Sequence, residues 1–226
     1  MKEKLLRYLE TFITERRSNL IDQVLNNRTR YFTVVLEDIY QTHNASAVLR
    51  TCDCFGIQDI HIIENRNRYR LNPDVTLGSE KWLDLFRYRK FNDNSAEVMN
   101  QLKKKGYRII ATTPRRESRS IDEFDIGRGK AAIFFGTELS GLSDNIIQNA
   151  DECILIPMFG FTESFNISVS AAIVMYNLTT RLRKTTIDWH LTVEEKTEQK
   201  IKWIKKCLKM DKKVDFFIDS GEENQD

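Results

Sequence analysis

Short apolar runs recur along this chain, separated by stretches of helical period, and that alternation restricts the fold more than any other feature. The runs are Phe32–Leu36, Ile60–Ile63, Phe86–Phe91, Tyr107–Ala111, Ala131–Phe135 and Cys153–Ile156. Hairpins close in a few residues, whereas parallel neighbours need crossover connections of roughly a dozen or more. Between the runs, helices fit Ala45–Phe55, stopped by Gly56, Ser95–Lys105, followed by Gly106, and Asn166–Arg183. The expectation is an α/β fold, a parallel sheet with helices on both faces. Ligands of such sheets lie beyond the carboxyl ends of the strands. Three loops therefore matter most, those after 32–36, 131–135 and 153–156.

The ends read differently. Leu5, Leu6, Leu9, Phe12 and Ile13, then Leu20, Ile21, Val24 and Leu25, fall three and four apart and predict two short helices before the sheet. Four segments are expected: an N-terminal helical extension over 1–30, the α/β domain over 31–184, a C-terminal basic helical extension over 185–213 and an acidic tail over 214–226. The net charge of +2 hides this division. Residues 1–30 carry seven basic against four acidic side chains and 181–213 eleven against five, while 214–226 carry five acidic and no basic ones. Basic flanks around a near-neutral middle suit a module that binds a polyanion, and equally suit solvated amphipathic helices. Charge alone does not choose.

No window approaches the roughly 18 to 20 apolar residues of a membrane span, and the start lacks the apolar segment of a signal peptide. A cytoplasmic protein with no membrane partner is expected. Cys52, Cys54, Cys153 and Cys207 are spaced unlike a zinc ribbon or a secreted disulfide scaffold, which implies reduced thiols and no metal. Hydrophobic residues at 41% and charged ones at 30% exclude a mainly disordered chain.

The first loop leads into Asn44-Ala-Ser-Ala-Val-Leu-Arg50, where Asn44 is read as a helix N-cap and Arg50 as a guanidinium in apolar surroundings that needs an anionic or carbonyl partner. The second is Gly136-Thr-Glu-Leu-Ser-Gly141, in which Glu138 either orients a substrate group or bonds turn amides. The third runs Ile156-Pro-Met-Phe-Gly-Phe-Thr-Glu-Ser-Phe-Asn166-Ile-Ser168, a broken strand followed by a small-faced helix with Ala171 and Ala172. Neither a dinucleotide glycine fingerprint nor a P-loop lysine is present.

Together, in order and spacing, these segments resemble the SPOUT methyltransferases, specifically the TrmH-like RNA ribose 2′-O-methyltransferases, over roughly 30–183. The matches are N-x-x-A-x-x-R at Asn44–Arg50, F-G-x-E-x-x-G at Phe135–Gly141, and I-P-M-x-G-x-x-x-S-x-N-x-S at Ile156–Ser168. Gly78-Ser-Glu-Lys-Trp82-Leu is similar to a further family stretch, and Phe165 stands where leucine is frequent. The resemblance implies a C-terminal deep trefoil knot, an exception to the rule against knots.

It also implies S-adenosylmethionine as methyl donor, held by the residues matching Thr112, Gly136, Ile156, Met158 and Phe165. Catalysis would rest on Arg50, with Asn44, Glu138, Ser164 and Asn166 shaping the site. His43 is a weaker candidate for the base. The family's pocket is completed by a second subunit, so a homodimer is expected. Short basic extensions resemble the branch that methylates guanosine 18 in the tRNA D-loop, with Arg16, Arg17, Arg181, Arg183 and Lys184 as phosphate contacts and no DNA partner. Ribosomal RNA (23S) as substrate, or an RNA-binding knot protein without catalysis, are the alternatives. Trp189 and Trp203 are expected to anchor the core rather than stack on bases.

Overall fold

A computed structural model describes residues 2–91, 93–114 and 118–210; the expected acidic tail lies outside them. The chain divides into two compact units, one formed by residues up to 28 with those from 191, the other by residues 29–190.

The first unit holds three helices, α1 (Lys2–Glu10), α2 (Glu15–Leu25) and α8 (Val193–Cys207). Each has an apolar stripe too narrow to be stable alone, and the stripes meet through Leu9, Ile21, Leu25, Trp203 and Ile204, all buried. Lys200 on α8 bridges Glu10 at 2.6 Å and Asp22 at 2.8 Å, which joins α8 to both other helices. Trp203 is fully buried beneath the Arg28 guanidinium, 5.2 Å from its ring.

The second unit contains β1 (Phe32–Glu37), β2 (Asp59–Ile63), β3 (Asp84–Tyr88), β4 (Arg108–Thr112), β5 (Arg119–Ser120), β6 (Ala131–Phe135) and β7 (Glu152–Leu155). They form one sheet in the order β3-β2-β1-β6-β4-β7-β5, and every pairing is parallel. β1, with all six residues buried, lies between β2 and β6. Alternation sorts its side chains. Val34 and Leu36 face a core shared with α3 (Thr42–Phe55) and α7 (Ile167–Leu182), through Val48, Leu49, Val174 and Leu178. Val35, with Phe134 and Ile109, faces the opposite core, shared with α5 (Ser95–Lys104) and α6 (Asp144–Asn149). Both faces are covered, which is why the strands read as continuous apolar runs rather than alternating ones.

Differences from expectation concern edges. β3 starts and ends earlier than Phe86–Phe91, because Asp84 pairs in register with Asp59 and both carboxylates hold Arg30 at 3.0 Å. The chain then leaves the sheet at Lys90 and Phe91, whose amides donate to Asn94 Oδ1 at 3.1 Å. α4 (Pro73–Thr76), α6 and the two-residue β5 are too short to set a periodic pattern. α3 begins at Thr42, with Gln41 in the capping position. Asn44 is therefore not the N-cap; it lies inside the first turn, and its side chain is free for another task.

Candidate active site

All strands being parallel, the loops after β1, β6 and β7 open on the same edge of the sheet. There the three segments meet. Asn166, the N-cap of α7, accepts at Oδ1 from the Ser168 backbone N–H at 2.8 Å and from its hydroxyl at 2.5 Å. Its Nδ2 is thereby aimed away from the helix, and donates to Glu138 Oε1 at 2.6 Å and Asn44 Oδ1 at 3.1 Å. Asn44 Nδ2 donates to the same Glu138 oxygen at 2.8 Å and to Gln41 Oε1 at 2.8 Å. One carboxylate oxygen thus receives two amide donors from helices whose sequence separation is more than a hundred residues. Charge-assisted bonds of this kind are stronger than neutral ones and fix each side chain's orientation.

Beside this cluster lies a cavity of about 390 Å³, whose walls include Thr112, Gly136, Ile156, Met158 and Phe165, every position expected to hold the cofactor, and also Glu138 and Ser164. No hydrogen bond joins Ser164 to the Asn44–Glu138–Asn166 cluster among the described residues. Thr112 spends its hydroxyl on the carbonyl of Phe134 at 2.8 Å, so it offers the cavity mainly its methyl face. Gly136 is required sterically: a Cβ there would lie 2.1 Å from the backbone carbon of Gly141. The close approach is held by a pair of backbone bonds, Thr137 N–H to Gly141 O at 3.1 Å and the reverse at 3.0 Å, with Gly141 in the left-handed region at φ +68°.

Two supports of the site escaped sequence reasoning. Gln41 braces Asn44, as above. Glu37, buried at the end of β1, accepts from the Ser143 amide at 2.8 Å, its hydroxyl at 2.7 Å and the Ser95 hydroxyl at 2.7 Å. That anchors the 136–143 turn to the central strand. A carboxylate ending an apolar strand was the available signal, since burial obliges it to find donors.

Arg50 departs from expectation. It is exposed, not buried, and lines a separate groove of about 550 Å³ with His43, Thr51, Cys54, Phe55 and Asp74. The helix dictates this: six residues at roughly 100° each put Arg50 some 240° around α3 from Asn44, so one helix cannot aim both into one cavity. His43 is likewise exposed, in that groove.

Among the suggested phosphate contacts, Arg16, Arg17 and Lys184 are exposed. Arg183 donates to the Phe55 carbonyl at 3.3 Å and lies 5.0 Å over the partly buried Trp189 ring. Arg181 is half-buried and donates to the carbonyls of Ile121 at 2.9 Å and Phe124 at 2.5 Å. It ties α7 to the 121–124 segment, and a phosphate would have to compete with those bonds.

Comparison with known proteins places the chain in a family. Residues 31–176 match the model of the SpoU rRNA methylase family. The chain belongs to that family. A curated relative, the tRNA (guanosine(18)-2′-O)-methyltransferase of Borreliella burgdorferi, is 45% identical over 217 residues, 96% of this chain and 97% of the relative. The enzyme of the same name from Thermus thermophilus is 34% identical over 72% of this chain and 81% of its own length. Among solved structures, the Aquifex aeolicus TrmH/SpoU tRNA modifying enzyme superposes with a TM-score of 0.76 at 29% identity, covering 86% of this chain and 98% of that one.

Proposed function

We infer that this chain is an S-adenosylmethionine-dependent RNA ribose 2′-O-methyltransferase that methylates guanosine 18 of tRNA. The observation that carries the reading is the convergence of Asn44, Glu138 and Asn166 into one bonded cluster at the rim of a cavity lined by all five expected cofactor positions. The substrate is supported by near-full-length similarity to tRNA guanosine-18 methyltransferases at 45% identity.

The cavity fits the methyl donor. At about 390 Å³ it is within the usual range of small-ligand sites, and most of its wall residues are apolar, with Gly136 and Gly141 among them. S-adenosylmethionine, when bound, supplies a methyl group already activated by a positive sulfur. What the protein must add is alignment and a route for one proton from the ribose hydroxyl. The Glu138 cluster holds the rim rigid for that alignment. Arg50 offers five N–H donors and no acceptor. Its role is to grip and position the ribose and an adjoining phosphate.

Because Arg50 faces away from its own cavity, the proposal includes a homodimer, in which pairing brings a guanidinium and a cavity together. Leu139, Phe159 and Phe161, each at least 97% exposed in the single chain and close to the cavity rim in sequence, are suited to be covered by that contact. A stable, fully active monomer in sedimentation would refute the pairing. A C-terminal trefoil knot, implied by the resemblance of the three motifs, is likewise part of the proposal. A cytoplasmic location follows from the substrate; among the described residues no helix is long and apolar enough to cross a membrane.

The test is incubation with labelled methyl donor and unmodified tRNA, then digestion to nucleosides. Labelled 2′-O-methylguanosine mapped to position 18 is expected. Labelling confined to ribosomal RNA would replace the substrate, and no transfer to any RNA would end the reading.

A further inference from the structure

The loop after β2, residues 64–72, carries three arginines that neither the cluster nor the cavity uses. Arg66, Arg68 and Arg70 alternate with Asn67 and Tyr69, and the burial alternates with them: the three arginines are exposed, Tyr69 is buried and Asn67 half-buried. No hydrogen bond or ion pair to the three guanidinium groups is found among the described residues. Residues 65–67 bend around Asp38, while 68–70 carry no bend; on an extended stretch alternate residues such as Arg68 and Arg70 are on the order of 7 Å apart, a spacing comparable to that of successive phosphates on a nucleic acid strand.

The backbone beneath them is fastened at three points. Asp38, in the left-handed region at φ +53° just after β1, accepts at Oδ1 from the amides of Asn65 and Arg66, both at 2.7 Å, and of Asn67 at 3.3 Å. Glu64, its side chain fully buried, accepts from the Tyr69 amide at 2.8 Å and binds Arg87 through both oxygens at 2.7 and 3.0 Å. The Asn72 amide donates to Ser46 Oγ at 2.9 Å, which ties the loop to α3, two residues beyond Asn44.

The two carboxylates that fasten the loop, Asp38 and Glu64, are thus committed to its amides and to Arg87. Burial tends to raise the Glu64 carboxyl, but the Arg87 bonds, the Tyr69 amide and the nearby charge of Arg89 outweigh it and hold it below the usual carboxylate range. Arg89 and Lys90, exposed beyond the end of the neighbouring β3, add two more cations at the same edge of the sheet. A surface lysine on a loose loop loses side-chain and backbone freedom on binding. These arginines stand on a backbone already ordered, and the guanidinium is well matched to phosphate oxygens.

We propose that Arg66, Arg68 and Arg70 form a fixed phosphate-binding row that holds the RNA strand beside the reaction site, with Arg89 and Lys90 extending it. This rests on the reading of the chain as an RNA methyltransferase and adds a substrate contact to it. The row contributes affinity and register but no chemistry, so its loss acts on KM for RNA and leaves kcat at saturating RNA and methyl-donor affinity intact.

The experiment measures tRNA KM and Kd as a function of salt for the wild-type protein, for Arg66→Ala/Arg68→Ala/Arg70→Ala and for the triple arginine-to-lysine variant. Three lost contacts at roughly 0.7 each lower the slope of log Kd against log salt by about 2 and weaken binding about 50-fold at 0.15 M salt. The lysine variant is expected to keep most of the slope and part of the affinity. An alanine triple whose slope and KM stay within about twofold of wild type, with wild-type melting temperature, overturns the row while leaving the methyltransferase reading intact. A wild-type protein that methylates no RNA overturns that reading instead. A changed sedimentation profile with unchanged tRNA KM assigns the arginines to a protein contact and also overturns the proposal.

Discussion

Gly136→Ala perturbs the site by a single methyl group. The added Cβ would lie 2.1 Å from the Gly141 carbonyl carbon, 2.2 Å from its oxygen and 2.3 Å from the Leu142 nitrogen, where ordinary contact begins at 3.4 Å. All three neighbours are backbone, so no side chain can swing aside; one segment must retreat by more than an ångström. Retreat is opposed on both sides. The end of β6 is held in register by β1 and β4. The 141–143 segment is held by the Thr137–Gly141 bond pair and by Ser143 on buried Glu37. Overpacking of this kind costs about 1–3 kcal/mol, which in a chain of this size lowers the melting temperature by roughly 2–12 °C. The same displacement moves the cavity wall, and a misplacement of about 1 Å costs on the order of 100-fold in function. Calorimetric titration with S-adenosylmethionine alongside thermal melting separates the two effects. The variant is expected to remain folded, melt earlier and bind the methyl donor on the order of 100-fold more weakly. Affinity within about twofold of wild type would refute the claim that this close backbone approach shapes the cofactor wall.

Arg50→Ala is expected to reduce methyl transfer by at least about 100-fold with near-normal donor affinity, because its groove is separate from the cavity; substantial activity in single-turnover assays would remove Arg50 from the mechanism. Asn166→Ala removes both the α7 cap and two bonds of the Glu138 cluster, and a loss of about 1–2 kcal/mol in denaturant unfolding together with a falling kcat is expected; unchanged kcat would make the cluster purely structural. His61 is buried beside Phe86 and the Tyr88 hydroxyl, and burial first, with Lys105 second, depresses its pKa to about 3. The unfolded chain binds this proton near pH 6.5 and the folded chain does not, so stability is full above pH 6.5 and falls below it by up to about 1.4 kcal/mol per pH unit towards pH 3. His61→Phe should flatten that part of the stability curve, and an identical pH dependence in the two proteins would contradict the assignment.

Much of the architecture was legible beforehand because its signals are local. A run such as Ala131–Phe135 reads as a strand, and matches β6 to the residue, because a strand covered on both faces needs apolar side chains at every position. Gly56 stops α3 in the left-handed conformation, as a glycine in that place should. Where the signal is short, the reading fails: β5 has two residues and α4 four, and β3 owes its start to a partner's carboxylate and a shared arginine. Asn44 was misread for the same reason. Its residue type suits a cap, but the helix begins before it; the site role that the resemblance implied takes its form in the bond to distant Glu138.

The motifs' resemblance to the SPOUT methyltransferases supplied the five wall positions. Residue order alone determined that this chain builds a parallel α/β sheet, and which three loops converge at its carboxyl edge. Both follow from side-chain period and chain punctuation, which act over a few neighbouring residues. Tertiary structure decided what each polar group does there: that Asn44 and Asn166 share one oxygen of Glu138, that Arg50 looks the other way, and that the arginines of the 64–72 loop stand outward on a pinned backbone. Those outcomes depend on the rotation of a helix about its axis and on partners a hundred residues away, and a local pattern carries no information about either.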